Sequence, residues 1–143
     1  MAIISNTAFA GQYADQLSQC LISHSNEQDR SDLAKWIFSV IAQHPDIKEY
    51  TNITDEQQKT IGKAAADIFQ RLMIKDCKEE FASVITYEQK QGVFIAFKTL
   101  GEVSMNTLIS NPVVQKATSN FTEYLDTKAI QETIEQTQKK QAK

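Results

Sequence analysis

Cysteine and histidine are the residue types in this chain that could bind a metal or act as nucleophiles, and the sequence holds two of each. A zinc site needs three or four such ligands at short, regular spacings. Cys20 and Cys77 lie far apart, and no third thiol accompanies them. Neither His24 nor His44 stands at a spacing that completes a zinc set. The sequence therefore predicts no metal site.

The remaining polar residues predict no catalytic machinery. Each histidine is expected at a helix end, where it can interact with the last carbonyl groups and the helix dipole. Asp76 and Glu80 share a helix face, but neighbouring lysines indicate solvated charges, whereas a glycosidase needs a buried acid. Phosphate-binding loops, dinucleotide-binding turns and zinc-protease motifs do not occur. We expect a protein that is not an enzyme and needs no cofactor.

One connecting segment, residues 46–56, has the composition of a contact surface. It combines an aromatic side chain with acidic ones between two strong helical patterns, as partner-binding loops often do. The predicted partner-binding residues are Asp46, Glu49, Tyr50, Asp55 and Glu56. The alternative is a polar linker that Ile47 and Ile53 hold against the helices.

Helices must position all of these residues, because apolar side chains recur at helical spacing along most of the chain. Ser25 with Gln28, and Thr54 with Gln57, have the form of capping boxes that open the second and third helices. The stripe from Leu33 to Ile41 is broad enough to contact neighbours on more than one side. Trp36 and the phenylalanines fall within such stripes and are expected in the core.

Breaks between helices are also visible in the sequence. Pro45 ends the second helix, and a phase shift near residue 75 predicts a bend. Asn111-Pro112 indicates an N-cap followed by the first residue of a helix. The apolar stripe then continues from Val113 to Leu125, and Phe121 within it is expected to be buried.

The pattern as a whole predicts an all-α, single-domain bundle of six to seven helices without strands. Only 4 glycines and 2 prolines interrupt the chain. A chain of 143 residues can bury a core without a metal. We expect the helical domain over residues 11–135 and a frayed polar tail over residues 136–143.

The first ten residues bear on the compartment. Ala8-Phe9-Ala10 has the small-x-small form of a signal-peptidase site, but the basic start and long apolar run of a complete signal are missing. We interpret residues 1–10 as the remnant of an export signal, the alternative being an ordinary frayed N-terminus. Export predicts a periplasmic or secreted protein with a Cys20–Cys77 disulfide. The alternative is a cytoplasmic protein with two reduced core thiols.

Charge and hydropathy exclude two classes of partner. The net charge is −3, and no third of the chain is strongly basic, which argues against nucleic-acid binding. The sequence contains no apolar run near the ~18–20 residues that cross a bilayer. A protein partner or a homodimer remains the expected kind of contact.

Three stretches carry a resemblance to known proteins. The run CLISHSNEQDRSDLAKWIFSVIAQHPD from Cys20, the run FKTLGEVSMNTLISNPVV from Phe97, and Tyr124-Leu125-Asp126 resemble an uncharacterised family of small exported bacterial helical proteins with two cysteines. Size, class and compartment are similar, more loosely, to immunity proteins of type VI secretion effectors. The resemblance implies a cleaved signal and no established activity.

These observations favour a non-catalytic, periplasmic protein-binding module, which could be an immunity-type inhibitor of a secreted toxin. Such a module binds through an exposed apolar patch with an acidic rim. The alternative is a helical carrier of a small apolar ligand. Its cavity would be lined by Phe94, Phe97, Met105 and Phe121.

Overall fold

The computed structural model describes residues 11–143, and the predicted all-α fold is confirmed across them. Residues 1–10, with the expected export-signal remnant, lie outside the described residues. The helices are α1 (Gln12–His24), α2 (Glu27–Ile41), α3 (Pro45–Lys48), α4 (Asp55–Arg71), α5 (Lys78–Tyr87), α6 (Gln89–Ile109), α7 (Pro112–Asn120) and α8 (Thr127–Gln141). A π turn, Leu72–Asp76, joins α4 to α5, and a 3-10 turn, Phe121–Tyr124, precedes α8.

The chain divides into two compact units, the first ending at Ile109 and the second running from Ser110 to Lys143. In the first unit, α6 packs against α1, α2 and α5, and α2 also packs against α4. The core that these helices share is made of small and branched apolar side chains. Its fully buried members include Leu17, Leu21, Leu33, Leu72, Val84, Ala96 and Leu100.

Local capping explains where two helices begin. The box predicted at Thr54 and Gln57 is confirmed, since each side chain accepts the backbone N–H of the other residue. The box predicted one helix earlier is wrong by one residue, because Asn26 and Asp29 form it instead of the predicted pair. Ser25 belongs to the end of α1, where it is buried and its hydroxyl donates to a backbone carbonyl.

A distant side chain caps the start of α1, which has no local side-chain cap. The Glu88 carboxylate accepts the N–H groups of Tyr13 and Ala14, both at 3.0 Å. A Cβ on Gly11 would collide with that carboxylate, so a larger residue there would displace Glu88 from the two N–H groups. The helix N-terminus thereby gains the negative charge that its dipole favours.

The predicted breaks are confirmed. α2 ends at Ile41, and Pro45 takes the first position of the short helix α3. The predicted bend near residue 75 is the π turn, after which Cys77 leaves helical geometry. The stripe of α2 contacts both α4 and α6, as predicted, but Val40 and Ile41 remain about half exposed.

The second unit has no buried residue. Asn111 caps α7 through the N–H of Val113, as the sequence predicts, and Asp126 caps α8 through the N–H of Ala129. The expected burial of Phe121 is wrong, since its side chain is 61% exposed. A unit this short has too few residues to bury an apolar stripe within itself. α8 continues to Gln141, beyond residue 135, where the sequence places the start of a frayed tail. Among residues 11–143, no helix is both long and apolar enough to cross a membrane.

Candidate functional site

An open apolar groove of about 700 Å³ lies along α6 where it meets α2 and α4. Large apolar side chains from all three helices line it. They include Trp36, Ile37, Phe69, Phe94, Phe97 and Met105. We call this feature the α6 groove.

Three aromatic rings form one wall of the α6 groove. The Trp36 and Phe69 ring centroids are 5.6 Å apart at 81°, and those of Phe69 and Phe97 are 4.9 Å apart at 70°. Edge-to-face pairs of this kind are favoured beyond the area that they bury. Since the rings come from α2, α4 and α6 in turn, the two ring pairs pack the three helices against one another.

Gly101 keeps the middle of the α6 groove open. A Cβ at this position would lie 3.4 Å from the Cδ1 of Ile37, which is an ordinary contact distance. A glycine inside a helix costs about 1 kcal/mol relative to alanine. Gly101 faces Ile37 of α2, and this separation leaves space for a methyl group between the two helices.

The rim of the α6 groove is polar and only weakly charged. Lys98 and Glu102 form an exposed ion pair with Nζ and Oε1 3.5 Å apart. The apolar residues between Phe94 and Ile109 follow one side of α6 over roughly 22 Å, at 1.5 Å per residue. The α6 groove is therefore long and open rather than closed over.

The groove brings together three of the four residues predicted to line a ligand cavity. Phe94, Phe97 and Met105 all line it, whereas Phe121 belongs to the second unit. The expectation that all phenylalanines lie in the core is wrong, because Phe94 is 69% exposed at the groove edge and Phe38 is also exposed. Helical spacing shows that a side chain shares an apolar face but not whether another helix covers that face.

A second apolar groove of about 620 Å³ contains Phe38, Ile53 and Leu108. Of the residues predicted to bind a partner, Glu56 lines this groove. All five of those residues are exposed, with Tyr50 at 78%. Asp46 lies in the first turn of α3, and Asp55 in the first turn of α4. Of the two isoleucines that the linker interpretation places against the helices, Ile53 is half-buried and Ile47 is exposed.

The predicted pairing of Cys20 with Cys77 is confirmed, with their Sγ atoms 2.06 Å apart. Cys77 is fully buried at the end of the π turn, and Cys20 is half-buried on α1. The bridge therefore ties α1 to the start of α5.

His24 lies beside this bridge, an arrangement that sequence reasoning missed. Its Nδ1 is 3.5 Å from the Sγ of Cys20 and 2.9 Å from the carbonyl oxygen of the same residue. The signal in the sequence is the four-residue spacing on one helix, which places the two side chains on the same face. No such spacing relates Cys77 to these two residues, because it lies on a distant part of the chain.

The two histidines differ in their surroundings. His24 contacts a carbonyl in the last turn of α1, as expected. For His44 the same expectation is wrong, because its Nδ1 accepts the N–H of Asp46 at the start of α3. Proline at the next position starts a new helix there, so an N-terminus replaces the expected C-terminus.

A charged network holds the π turn near the bridge. Arg71 pairs with the buried Asp29 at 2.6 Å and with Asp76 at 3.1 Å. The hydrogen bond that Arg71 donates to Asp29 raises the pKa of Arg71, and the negative charges of Asp29 and Asp76 add to the effect. The expectation of a simply solvated Asp76 is wrong, since the guanidinium lies beside it. This network joins α2 to the segment that carries Cys77.

No family model, curated protein or solved structure matches this chain. The two features of the first unit that bear on function are the α6 groove and the cluster around the disulfide.

Proposed function

We propose that this chain is a non-catalytic protein-binding module whose α6 groove receives the apolar face of an amphipathic helix from a partner protein. The observation that carries the proposal is the form of the groove, an aromatic trough along one side of α6. Amphipathic helices bind such troughs with side chains spaced at i, i+3 or i+4, and i+7.

The length and contents of the α6 groove support a helix as the occupant. Its roughly 22 Å along α6 match about fifteen residues of helix. Trp36 is the kind of side chain that contributes most to binding energy at interfaces, and phenylalanines such as Phe97 are enriched there. The open centre at Gly101 leaves room for one large side chain of the partner, and the polar rim leaves charge at the edge of the contact.

A helical carrier of a small apolar ligand is the second candidate. Phe94, Phe97 and Met105 line the groove as that hypothesis requires, and about 700 Å³ is within the usual range for ligand sites. The exposure of Phe94 favours a protein partner instead, because a small ligand in an open groove would keep much of its apolar surface in water.

The setting of this binding role is part of the same proposal. We place the protein in the periplasm or outside the cell, with an immunity-type inhibition of a secreted toxin as the specific form of binding. The Cys20–Cys77 bridge supports a setting outside the cytoplasm. The net charge of −3 supports a basic partner. A toxin encoded beside this gene should lose its effect on cells that also make this protein.

The test uses Trp36, the chain's single tryptophan, as a reporter inside the groove. A displayed library of tryptophan-free, fifteen-residue amphipathic helices is selected against the oxidised protein. Binding of an enriched helix should shift the Trp36 emission, and a peptide of the same composition with its apolar face scrambled should not.

Two leucine substitutions provide the matched comparison. Gly101→Leu fills the middle of the groove, whereas a Cβ at Gly62 on α4 meets nothing within 4 Å. Enriched helices should bind Gly62→Leu like the wild type and bind Gly101→Leu at least tenfold more weakly. The proposal fails if no helix is enriched, or if Gly101→Leu binds as well as the control. One lipid per chain in native mass spectra of the purified protein would instead favour the carrier.

A further inference from the structure

We propose that, once the disulfide is reduced, the thiolates of Cys20 and Cys77 and the imidazole of His24 bind one zinc ion. The connection between α1 and the start of α5 can then be made either by a sulfur–sulfur bond or by a metal ion. This site is separate from the α6 groove and does not depend on the binding function proposed for it.

The ligand atoms are already close to one another. One atom each from Cys20, His24 and Cys77 lies within 4.8 Å of the other two. Zinc bonds of ~2.3 Å to sulfur and ~2.05 Å to nitrogen, at tetrahedral angles, place a sulfur and a nitrogen about 3.6 Å apart. The 3.5 Å between Cys20 Sγ and His24 Nδ1 agrees with that separation.

The fold supplies these ligands from two rigid elements. Cys20 and His24 lie one turn apart on α1, and Cys77 lies where the π turn meets α5. A surface depression of about 350 Å³ contains Cys20, His24 and Glu80. The half-buried thiol therefore has space to move after reduction, and a water molecule can reach the fourth position of the metal. Two cysteines, one histidine and a water form a known zinc ligand set.

Formation of the site requires a reductant, and a dithiol is the class that suits it. The dithiol transfers two electrons and two protons, becomes a cyclic disulfide, and leaves two thiols on the protein. Zinc binding then releases one proton from each thiol. Binding through Nδ1 requires the imidazole proton on Nε2, so His24 exchanges its hydrogen bond with the Cys20 carbonyl for the metal.

The test measures Zn(II) binding by the full chain after reduction with a phosphine and anaerobic desalting. Titration against a chromophoric chelator should give one zinc per chain with release of protons. Cobalt(II) in place of zinc should produce a thiolate-to-metal charge-transfer band. The oxidised protein should bind neither ion at this site, since its sulfurs are bonded to each other.

The two histidines provide the matched variants. His24→Gln should weaken zinc binding at least tenfold, because it removes a ligand, and His44→Gln should leave binding unchanged. Equal affinity in His24→Gln and wild type would overturn the proposal. So would zinc binding of wild-type strength by the double variant Cys20→Ser/Cys77→Ser, or no binding by the reduced wild type.

Circular dichroism keeps the test informative if reduction unfolds the chain. In that case zinc should restore helicity in the reduced wild type and in His44→Gln, but not in the double serine variant. A reduced wild type that stays unfolded with excess zinc would also overturn the proposal.

Discussion

Replacing Asp29 by asparagine or by alanine should separate two contributions of this carboxylate to stability. One oxygen accepts the N–H of Asn26 at 3.0 Å, within the capping box of α2. The same carboxylate accepts from Arg71 at 2.6 Å, which links α2 to the end of α4. Asparagine retains an acceptor for the cap but loses the charge, whereas alanine loses both.

The magnitudes follow from burial. An N-terminal cap contributes about 1 kcal/mol, and a charge-assisted hydrogen bond contributes about 1.5–3 kcal/mol. The Arg71 side chain is 37% exposed and also pairs with Asp76, so solvent screening places its contribution at the lower end. We expect Asp29→Asn to lower the free energy of unfolding by about 1.5 kcal/mol and Asp29→Ala by about 2.5 kcal/mol.

Urea denaturation of the oxidised protein at pH 7, followed by circular dichroism, measures both losses. Asp32→Asn is the matched control, because this carboxylate lies three residues further along α2 and its partners, the exposed Lys35 and Gln28, are both on the same helix. The control should lose less than about 1 kcal/mol. Equal losses in Asp29→Asn and Asp32→Asn would refute the idea that the Arg71 pair joins α2 to the π turn.

Three further outcomes can be checked on the same protein. Cys20→Ser/Cys77→Ser opens a loop with a sequence separation of 57 and should lower the free energy of unfolding by about 4 kcal/mol; a loss under about 1 kcal/mol would contradict a stabilising bridge. Gly62→Ala and Gly101→Ala should each raise stability by about 0.5–1 kcal/mol in thermal unfolding, and a loss at Gly101 alone would mean that α2 and α6 leave no space for a methyl group. A hydrogen bond from the lysine three residues on lowers the pKa of Asp32 below its ordinary value of 3.8. Its contribution to stability is therefore complete above pH 3.8 and lost as the pH falls through the lowered pKa, so acid titration of Asp32→Asn should show a shallower decline there.

Local sequence determined the helices and most of their ends. Thr54 with Gln57, Pro45 and Asn111 act on backbone groups within a few residues, so their effects can be read from spacing alone. The capping box at the start of α2 shows where spacing alone is not sufficient. Ser25 with Gln28 has the right residue types, but Asp29 also meets Arg71 from another helix, and that contact favours the pair one residue later.

The sites depend on contacts between residues far apart in the chain. Helical spacing placed Phe94, Phe97 and Met105 on one helix, but only packing decided that Trp36 and Phe69 join them around an open groove. The disulfide could be predicted from the presence of two cysteines and the expected compartment, without knowing how far apart the two thiols lie in the fold. Its neighbour His24, and the cap that Glu88 places on α1 from 75 residues away, depend on how the helices cross. Periodicity reports which face of a helix is apolar, and only the assembled helices determine which of those faces stay open to a partner.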